Sequence, residues 1–294
     1  MALTIHTNYS SLLTQTNLNK TNNALAVNQQ RLGTGLRINS ASDDAAGLQI
    51  ATRLNAQTKG MAVAGRNVND ASSLLQTADG AFGEMTDILQ RMKDLATQSA
   101  NGTNSNDDRK AMQAEYDELG KELGNIMANT SYAGEKLFGK DGKTGKFGSV
   151  IEFQIGATTA ETLSLDVKAQ TEALGTTLSG LSSSYNASGT SGVPGTEITT
   201  ISGANAQIDK LAGALNDIGE LRGQFGANIN RLAHTANNLA NMKDNTEMAR
   251  GRIMDADFAS ESALMSKNSM LMQSGISMLK QTGQMPGLVM SLLG

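Results

Sequence analysis

Two heptad columns between Ala204 and about Met248 limit this chain more than any other stretch. Ile208, Leu215, Arg222, Ile229 and Ala236 recur every seven residues, and Leu211, Ile218, Phe225, Leu232 and Leu239 form a second column. A repeat of seven keeps one apolar seam along one side of a helix, so the pattern demands a long helix with a packing partner. At 1.5 Å per residue it predicts a rod of roughly 65–70 Å. Arg222 is the polar member of its column, and its long side chain is expected to reach solvent, with register setting as the alternative.

The spacing recurs upstream. Val68, Ala71, Leu75, Ala78, Phe82, Met85, Leu89, Met92 and Ala96 alternate steps of three and four. The run stops at Ala100-Asn-Gly-Thr-Asn-Ser-Asn106, where Asn101-Gly102 marks a turn. Asp107 and Asp108 suit the start of another helix, on which Met112, Tyr116, Leu119, Leu123 and Ile126 continue the pattern. The reading is two antiparallel helices. Between Phe138 and Thr200 the chain turns rich in Gly, Ser and Thr. There Val150–Ile155 and Thr162–Val167 alternate with period two around Gly156–Ala160, which predicts a β-hairpin. Ser182–Gly195, poor in apolar residues, reads as an exposed loop.

The two ends carry thinner stripes. Leu18, Leu25 and Leu32 are seven apart in the first, and Phe258, Met265, Met272 and Leu279 in the last, which Pro286 is expected to stop. Such helices are marginal alone and need partners. With aromatic residues at only 3%, and two Pro, narrow helical stripes are a better account than a thick core. The predicted fold is mainly α: long antiparallel coiled-coil helices formed by the two chain ends, with a small β-hairpin-containing insertion between them. The expected regions are 1–139, 140–203 and 204–294.

Little here suggests chemistry. The chain has no Cys, and its two histidines, His6 and His234, lie among Asn and Thr without a metal-binding spacing. A formal charge of −4 gives no case for nucleic acid. No stretch is apolar for long enough to enter a membrane. The N-terminus has neither the basic nor the apolar region of a secretory signal. No catalytic, cofactor or metal site is expected.

The densest polar stretch is Arg31–Leu54. Gly33 and Gly35 break the helix before them, and Ser42 followed by Asp43 and Asp44 reads as a helix start. A phosphate cradle is not indicated, since no Gly-Lys-Ser/Thr follows. Arg31, Arg37, Asp43 and Asp44 within fourteen positions mark a junction where segments or subunits lock together. This stretch resembles the N-terminal signature of bacterial flagellins, the subunits of the flagellar filament. Ala256-Asp-Phe-Ala-Ser-Glu-Ser-Ala263 resembles their C-terminal signature. The likeness runs from the N-terminus to about Phe138 and again from about Ala204 to the end.

The resemblance implies a structural subunit that leaves through the flagellar type III export apparatus and polymerises outside the cell. It implies as partners further copies of the chain, an export chaperone at the Met-rich C-terminal segment (Met265, Met270, Met272, Met278, Met285 and Met290), and hook-associated and cap proteins. Arg91, Leu95, Gln98 and Glu115 match or adjoin positions at which relatives meet the host Toll-like receptor for flagellin. The N-terminal ten residues and the Met-rich tail resemble lateral, swarming flagellins more than polar ones. The alternatives are a hook–filament junction protein, which resembles flagellin at its ends, and a cytoplasmic coiled-coil adaptor.

Overall fold

A computed structural model describes residues 8–186 and 195–293, with side chains through residue 284. Expectations that fall on Leu3, His6, Met285, Met290 and most of the Ser182–Gly195 loop lie outside the described residues. The elements are α1 (Tyr9–Thr34), α2 (Ala45–Ser99), α3 (Asn106–Asn129), β1 (Ser131–Tyr132), β2 (Glu135–Lys136), β3 (Ile151–Gln154), β4 (Thr162–Leu165), α4 (Lys168–Ser179), α5 (Ile201–Met254) and α6 (Phe258–Leu293). Contacts divide the chain into two units, Met1–Thr58 with Asp244–Gly294, and Lys59–Lys243. The segment 140–203 lies within the second.

The second unit holds the large core. All nine heptad residues from Val68 to Ala96 are buried, as are Leu211, Ile218, Phe225, Leu232 and Leu239 of α5. The other α5 column, Ile208, Leu215, Ile229 and Ala236, is half-buried against them. Arg222 reaches solvent, as its long side chain predicts, and finds a partner there. Its Nε donates to Asp79 Oδ1 of α2 at 2.9 Å. Both groups are well exposed, so the pair contributes at most about 1 kcal/mol.

Four phenylalanines offset the scarcity of aromatics by gathering in one place. Phe82 of α2, Phe225 of α5, Phe138 and Phe147 form a closed ring with neighbouring centroids 4.9–5.7 Å apart. Phe147 sits on a single 3-10 turn, Lys146–Gly148, so the middle segment plugs directly into the helical core.

The hairpin forms as the alternation predicts. β3 and β4 pair antiparallel with Ile151 opposite Leu165 and Phe153 opposite Leu163. Gln154 closes its loop, donating through Nε2 to the carbonyls of Gly156, Thr158 and Glu161. Two elements were not anticipated. One is the tight β1–β2 hairpin, whose turn residues Ala133 and Gly134 both have positive φ, as this class of turn requires. The other is α4.

The Ser182–Gly195 expectation needs correction at its described ends. Ser182, Ser184 and Tyr185 are buried. Tyr185 donates its hydroxyl to Lys140 O at 2.8 Å, and a Cβ on Gly124 would meet Tyr185 O at 2.5 Å. The segment lies flat on α3 because Gly124 leaves room for it. Burial pushes the Tyr185 phenol far above its ordinary range. Past the loop, Gln113 accepts from Ile198 N–H (2.8 Å) and donates to Asp117 Oδ1 (2.9 Å) and Glu197 Oε2 (2.7 Å).

The α2–α3 turn is fastened by a buried cation. Arg109 donates through Nε to Ser99 O and through Nη2 to Asn101 O, both at 3.0 Å. Those carbonyls lie at the negative end of α2, where a cation is favoured. Ser105 caps α3 in a reciprocal box with Asp108. The Ser105 hydroxyl, then its backbone N–H, hold the Asp108 carboxyl below its usual range.

Candidate assembly surface

The first unit is built differently. α1 starts at Asn8, whose Oδ1 accepts from Ser11 N–H at 3.0 Å. It ends at Gly35, whose φ of 71° lets its N–H return to Arg31 O. Gly33, expected to break the helix, stays inside it. α6 starts at Asp257, which accepts from Ala259 N–H (3.0 Å) and Ser260 N–H (3.3 Å). The two helices lie antiparallel, with Asn8 near Thr282, Leu18 near Gly275 and Arg31 near Glu261.

The polar contacts of this pair are its most specific feature. Glu261, 7% exposed, accepts from Arg31 Nη1 at 2.9 Å and from Asn28 Nδ2. Asn28 Oδ1 in turn accepts from Asn268 Nδ2 at 2.9 Å. At the other end Asn8 Nδ2 donates to Thr282 O at 2.9 Å. That carbonyl is the one whose helical donor would have been residue 286, and proline has no N–H. α6 therefore runs through Pro286 to Leu293, contrary to expectation, with the orphaned acceptor satisfied from α1.

The junction behind this pair holds all four charged residues singled out in the sequence. Leu36 bridges Asp255 antiparallel, with Arg37 N–H donating to Met254 O (2.6 Å) and Ala256 N–H to Gly35 O (2.9 Å). Arg37 Nη2 reaches Ile253 O at 3.0 Å, at the negative end of α5. Asp43 Oδ2 accepts from the backbone N–H groups of Asn39 and Ser40 and from the Ser40 hydroxyl. The cap of α2 is Asp44, whose Oδ1 accepts from Gly47 N–H at 2.8 Å, and not Ser42 as the sequence suggested. Ser42 instead shares a hydrogen bond with the Ser40 hydroxyl.

A Cβ on buried Gly47 would lie 2.5 Å from Asp44 Oδ2 and 2.8 Å from Ile38 Cδ1. Gly47→Ala should therefore displace the cap and Ile38, at about 1–3 kcal/mol. Amide hydrogen exchange in the first turn of α2 would register it, and unchanged protection there would contradict this packing.

Acid should act on the same region. Backbone donation from Ser40, then from Asn39, holds the Asp43 carboxyl below its ordinary 3.8. Ser260, through its hydroxyl and then its N–H, does the same for Asp257. Groups depressed in this way stabilise fully above the ordinary value and lose that contribution as pH falls through the folded one. Protection of the Ser40 and Ser260 amides should thus persist down to about pH 3.8 and fade below it. Loss of protection at clearly higher pH would contradict these hydrogen bonds.

Apart from these contacts the unit is bare. Of its large apolar side chains among the described residues only Leu25 and Ile38 are buried, and neither belongs to the core of the second unit. Of the predicted packing residues, Leu25 is buried, while Leu18, Leu32, Met265, Met272 and Leu279 are half-buried. Phe258 is 66% exposed, a correction to the expectation. As the first residue of α6 it falls opposite the end of α1, where Gly35 has no side chain to offer.

A second column, Leu264, Leu271 and Met278, again seven apart, is exposed on α6, as are Met270 and Ile276. Tyr9, Leu12, Leu13 and Val27 are exposed on α1. Twelve of the sixteen exposed large apolar side chains among the described residues belong to this smaller unit. An open groove of about 450 Å³ between α1 and α6 is lined by Leu25, Gln29, Met265, Ser266, Ser269 and Met270.

The other predicted surface is only partly a surface. Arg91 donates through Nε and Nη2 to Glu115 Oε1 at 2.8 and 2.6 Å, and Gln98 is exposed. Leu95 is 2% exposed and belongs to the core. The buried face of α2 is broader than two heptad columns, with Leu95 beside Ala96 and Leu74 beside Leu75. His234 is exposed, and no group of three or more His, Asp or Glu gathers in metal-holding fashion among the described residues. No helix among them is long and apolar enough to cross a membrane.

Comparison with known proteins bears on what such a surface is for. Residues 5–143 match the bacterial flagellin N-terminal helical region, and 208–293 the bacterial flagellin C-terminal helical region. Flagellin A of Vibrio anguillarum is 35% identical, with both chains covered in full. The chain belongs to the bacterial flagellin family. Polar flagellin C of Vibrio parahaemolyticus is 34% identical, again over the whole of both chains. The first of these flagellin alignments spans 384 positions against 294 residues here, so that relative has stretches this chain lacks. A Vibrio parahaemolyticus structure described as a flagellar hook-associated protein superimposes with a TM-score of 0.55 over 72% of this chain and 100% of its own. At 14% identity it speaks for the fold alone. Like its flagellin relatives, this chain is a structural subunit that polymerises into the flagellar filament, outside the cell.

Proposed function

We propose that the exposed columns of α1 and α6 are the surfaces that neighbouring copies bury when the filament forms. The carrying observation is the Leu264–Leu271–Met278 column, a second heptad stripe left open beside the one that faces α1. Each such side chain contributes about 1.5–3 kcal/mol when fully buried, enough in aggregate to order two thin helices. A heterologous contact that does not close on itself propagates a helical polymer. Regions 1–139 and 204–294 then form the assembling part of the flagellin, and 140–203 its outward insertion. Arg31, Arg37, Asp43 and Asp44 hold the junction in the shape that assembly requires.

The test is seeded growth. Leu264→Ser with Leu271→Ser should leave the circular dichroism of the monomer unchanged, since both side chains are exposed, and should stop elongation of filament seeds under negative-stain microscopy. Normal elongation would overturn the proposal.

The same exposed Met-rich face suits an export chaperone before assembly, and hook-associated and cap proteins at the filament ends. Absence of any partner co-purifying from export-blocked cells would tell against the chaperone. Contact with the cap and hook-associated proteins predicts crosslinks from α6 to both in assembled flagella, and finding none would remove that reading. A Toll-like receptor contact would use Arg91, Gln98 and Glu115 and not Leu95, and unchanged receptor signalling by Arg91→Ala would tell against it. Resemblance of the first ten residues to lateral flagellins supports a swarming role. Equal abundance on liquid-grown and surface-grown cells would tell against that.

A further inference from the structure

The α2–α3 turn carries a chemical feature of its own. Asn101-Gly102 is the one Asn-Gly pair in the chain. It stands exposed between the two helices, and a Cβ added to Gly102 would meet nothing within 4 Å. The Gly102 N–H donates to no acceptor among the described residues. Three other asparagines precede serine, the next least hindered residue. Ser40 N–H donates to Asp43, Ser105 N–H donates to Asp108, and Ser269 lies inside α6 with its N–H in the helical ladder. Among these four, only Asn101 is followed by a nitrogen that is both unhindered and unengaged.

Two further contacts bear on the same peptide. Arg109 Nη2 donates to Asn101 O at 3.0 Å, drawing electron density from the Asn101–Gly102 amide and stabilising the anion left when Gly102 N loses its proton. Thr103 N–H donates to Asn101 Oδ1 at 3.2 Å, polarising the side-chain carbonyl.

We propose that Asn101 is a site of spontaneous deamidation in the folded protein, assisted by Arg109. Gly102 N gives its proton to water and bonds to Asn101 Cγ. The bond from Cγ to the carboxamide nitrogen breaks, and that nitrogen leaves as ammonia after taking up a proton. Water then opens the cyclic imide at either carbonyl, giving aspartate or isoaspartate. One water is consumed and one ammonia released, with no redox change. The product places a carboxylate beside Arg109, or lengthens the backbone in the turn that Arg109 fastens. A subunit that stays outside the cell would accumulate the change with age.

The test is to incubate the intact protein in warm, neutral to mildly alkaline buffer and map the products by peptide mass spectrometry with isoaspartate detection. Asn101 should convert about tenfold faster than Asn39, Asn104 or Asn268, to a mixture of both products. Gly102→Val, whose Cβ meets nothing within 4 Å, should stop the conversion. Arg109→Met should slow it by about threefold or more. Conversion of another asparagine first would overturn the proposal. So would an unchanged rate in Arg109→Met with native circular dichroism.

Discussion

A chain lacking Ala256–Gly294 will keep most of its helix and will not add to filament seeds. The core cluster draws its buried side chains from Met61 to Leu239, so removing α6 takes nothing from it. α1 does lose its partner. Leu25 is uncovered, Asn28 and Arg31 lose Glu261, and Asn8 keeps its cap but loses Thr282. A helix with so thin a stripe does not persist alone in water. Circular dichroism should fall by more than the deleted residues account for, while the thermal transition of the remaining unit stays in place. Long filaments from the truncated chain under negative-stain microscopy would remove the terminal pair from the assembly mechanism.

Phe147→Ala will destabilise the second unit by about 3–5 kcal/mol. Phe147 is fully buried, stacks on Phe138 at 5.2 Å and lies tilted against Phe225 at 5.1 Å. Truncation opens a cavity where α5 meets the middle segment, and it breaks the aromatic ring at the member supplied by a single turn of 3-10 helix. Chemical denaturation should show a lower midpoint at unchanged slope. A change below about 1 kcal/mol would show that the middle segment is not part of the cooperative core.

The core was legible where burial and periodicity coincide. Leu211 to Leu239 and Val68 to Ala96 could be placed from spacing alone, because a residue buried every seven positions leaves the same trace in any helix. α4 left a trace in the wrong letters. Its buried positions Thr171, Leu174, Gly175 and Leu178 follow helical steps, but Thr and Gly fill half of them and conceal the apolar stripe.

The assembly surface was read in part, for similar reasons. Spacing gave the Leu25 and Met265 columns but not the end of α1, so Phe258 was placed in a seam that has already finished. Leu95, which the resemblance implies is on a receptor-facing surface, is buried because more of α2 is covered than two columns indicate. Pro286 was expected to end a helix, since no local rule supplies an acceptor's missing donor from a residue far away in the chain. Asn28 and Asn268 gave no signal, and Glu261 only its place within the Ala256–Ala263 stretch. A buried polar cluster has no period, and its members look like ordinary surface residues until the two helices are side by side.

The clasps at the two ends of the terminal pair also work as a ruler. About as many residues separate Asn8 from Asn28 as separate Glu261 from Thr282, and both ends must be fastened together. Adding or losing one residue in either helix turns every later side chain by about 100° and unfastens an end. An insertion or deletion between the clasps therefore weakens the pair even where every apolar residue survives. Length can be added or removed without that cost only elsewhere in the chain.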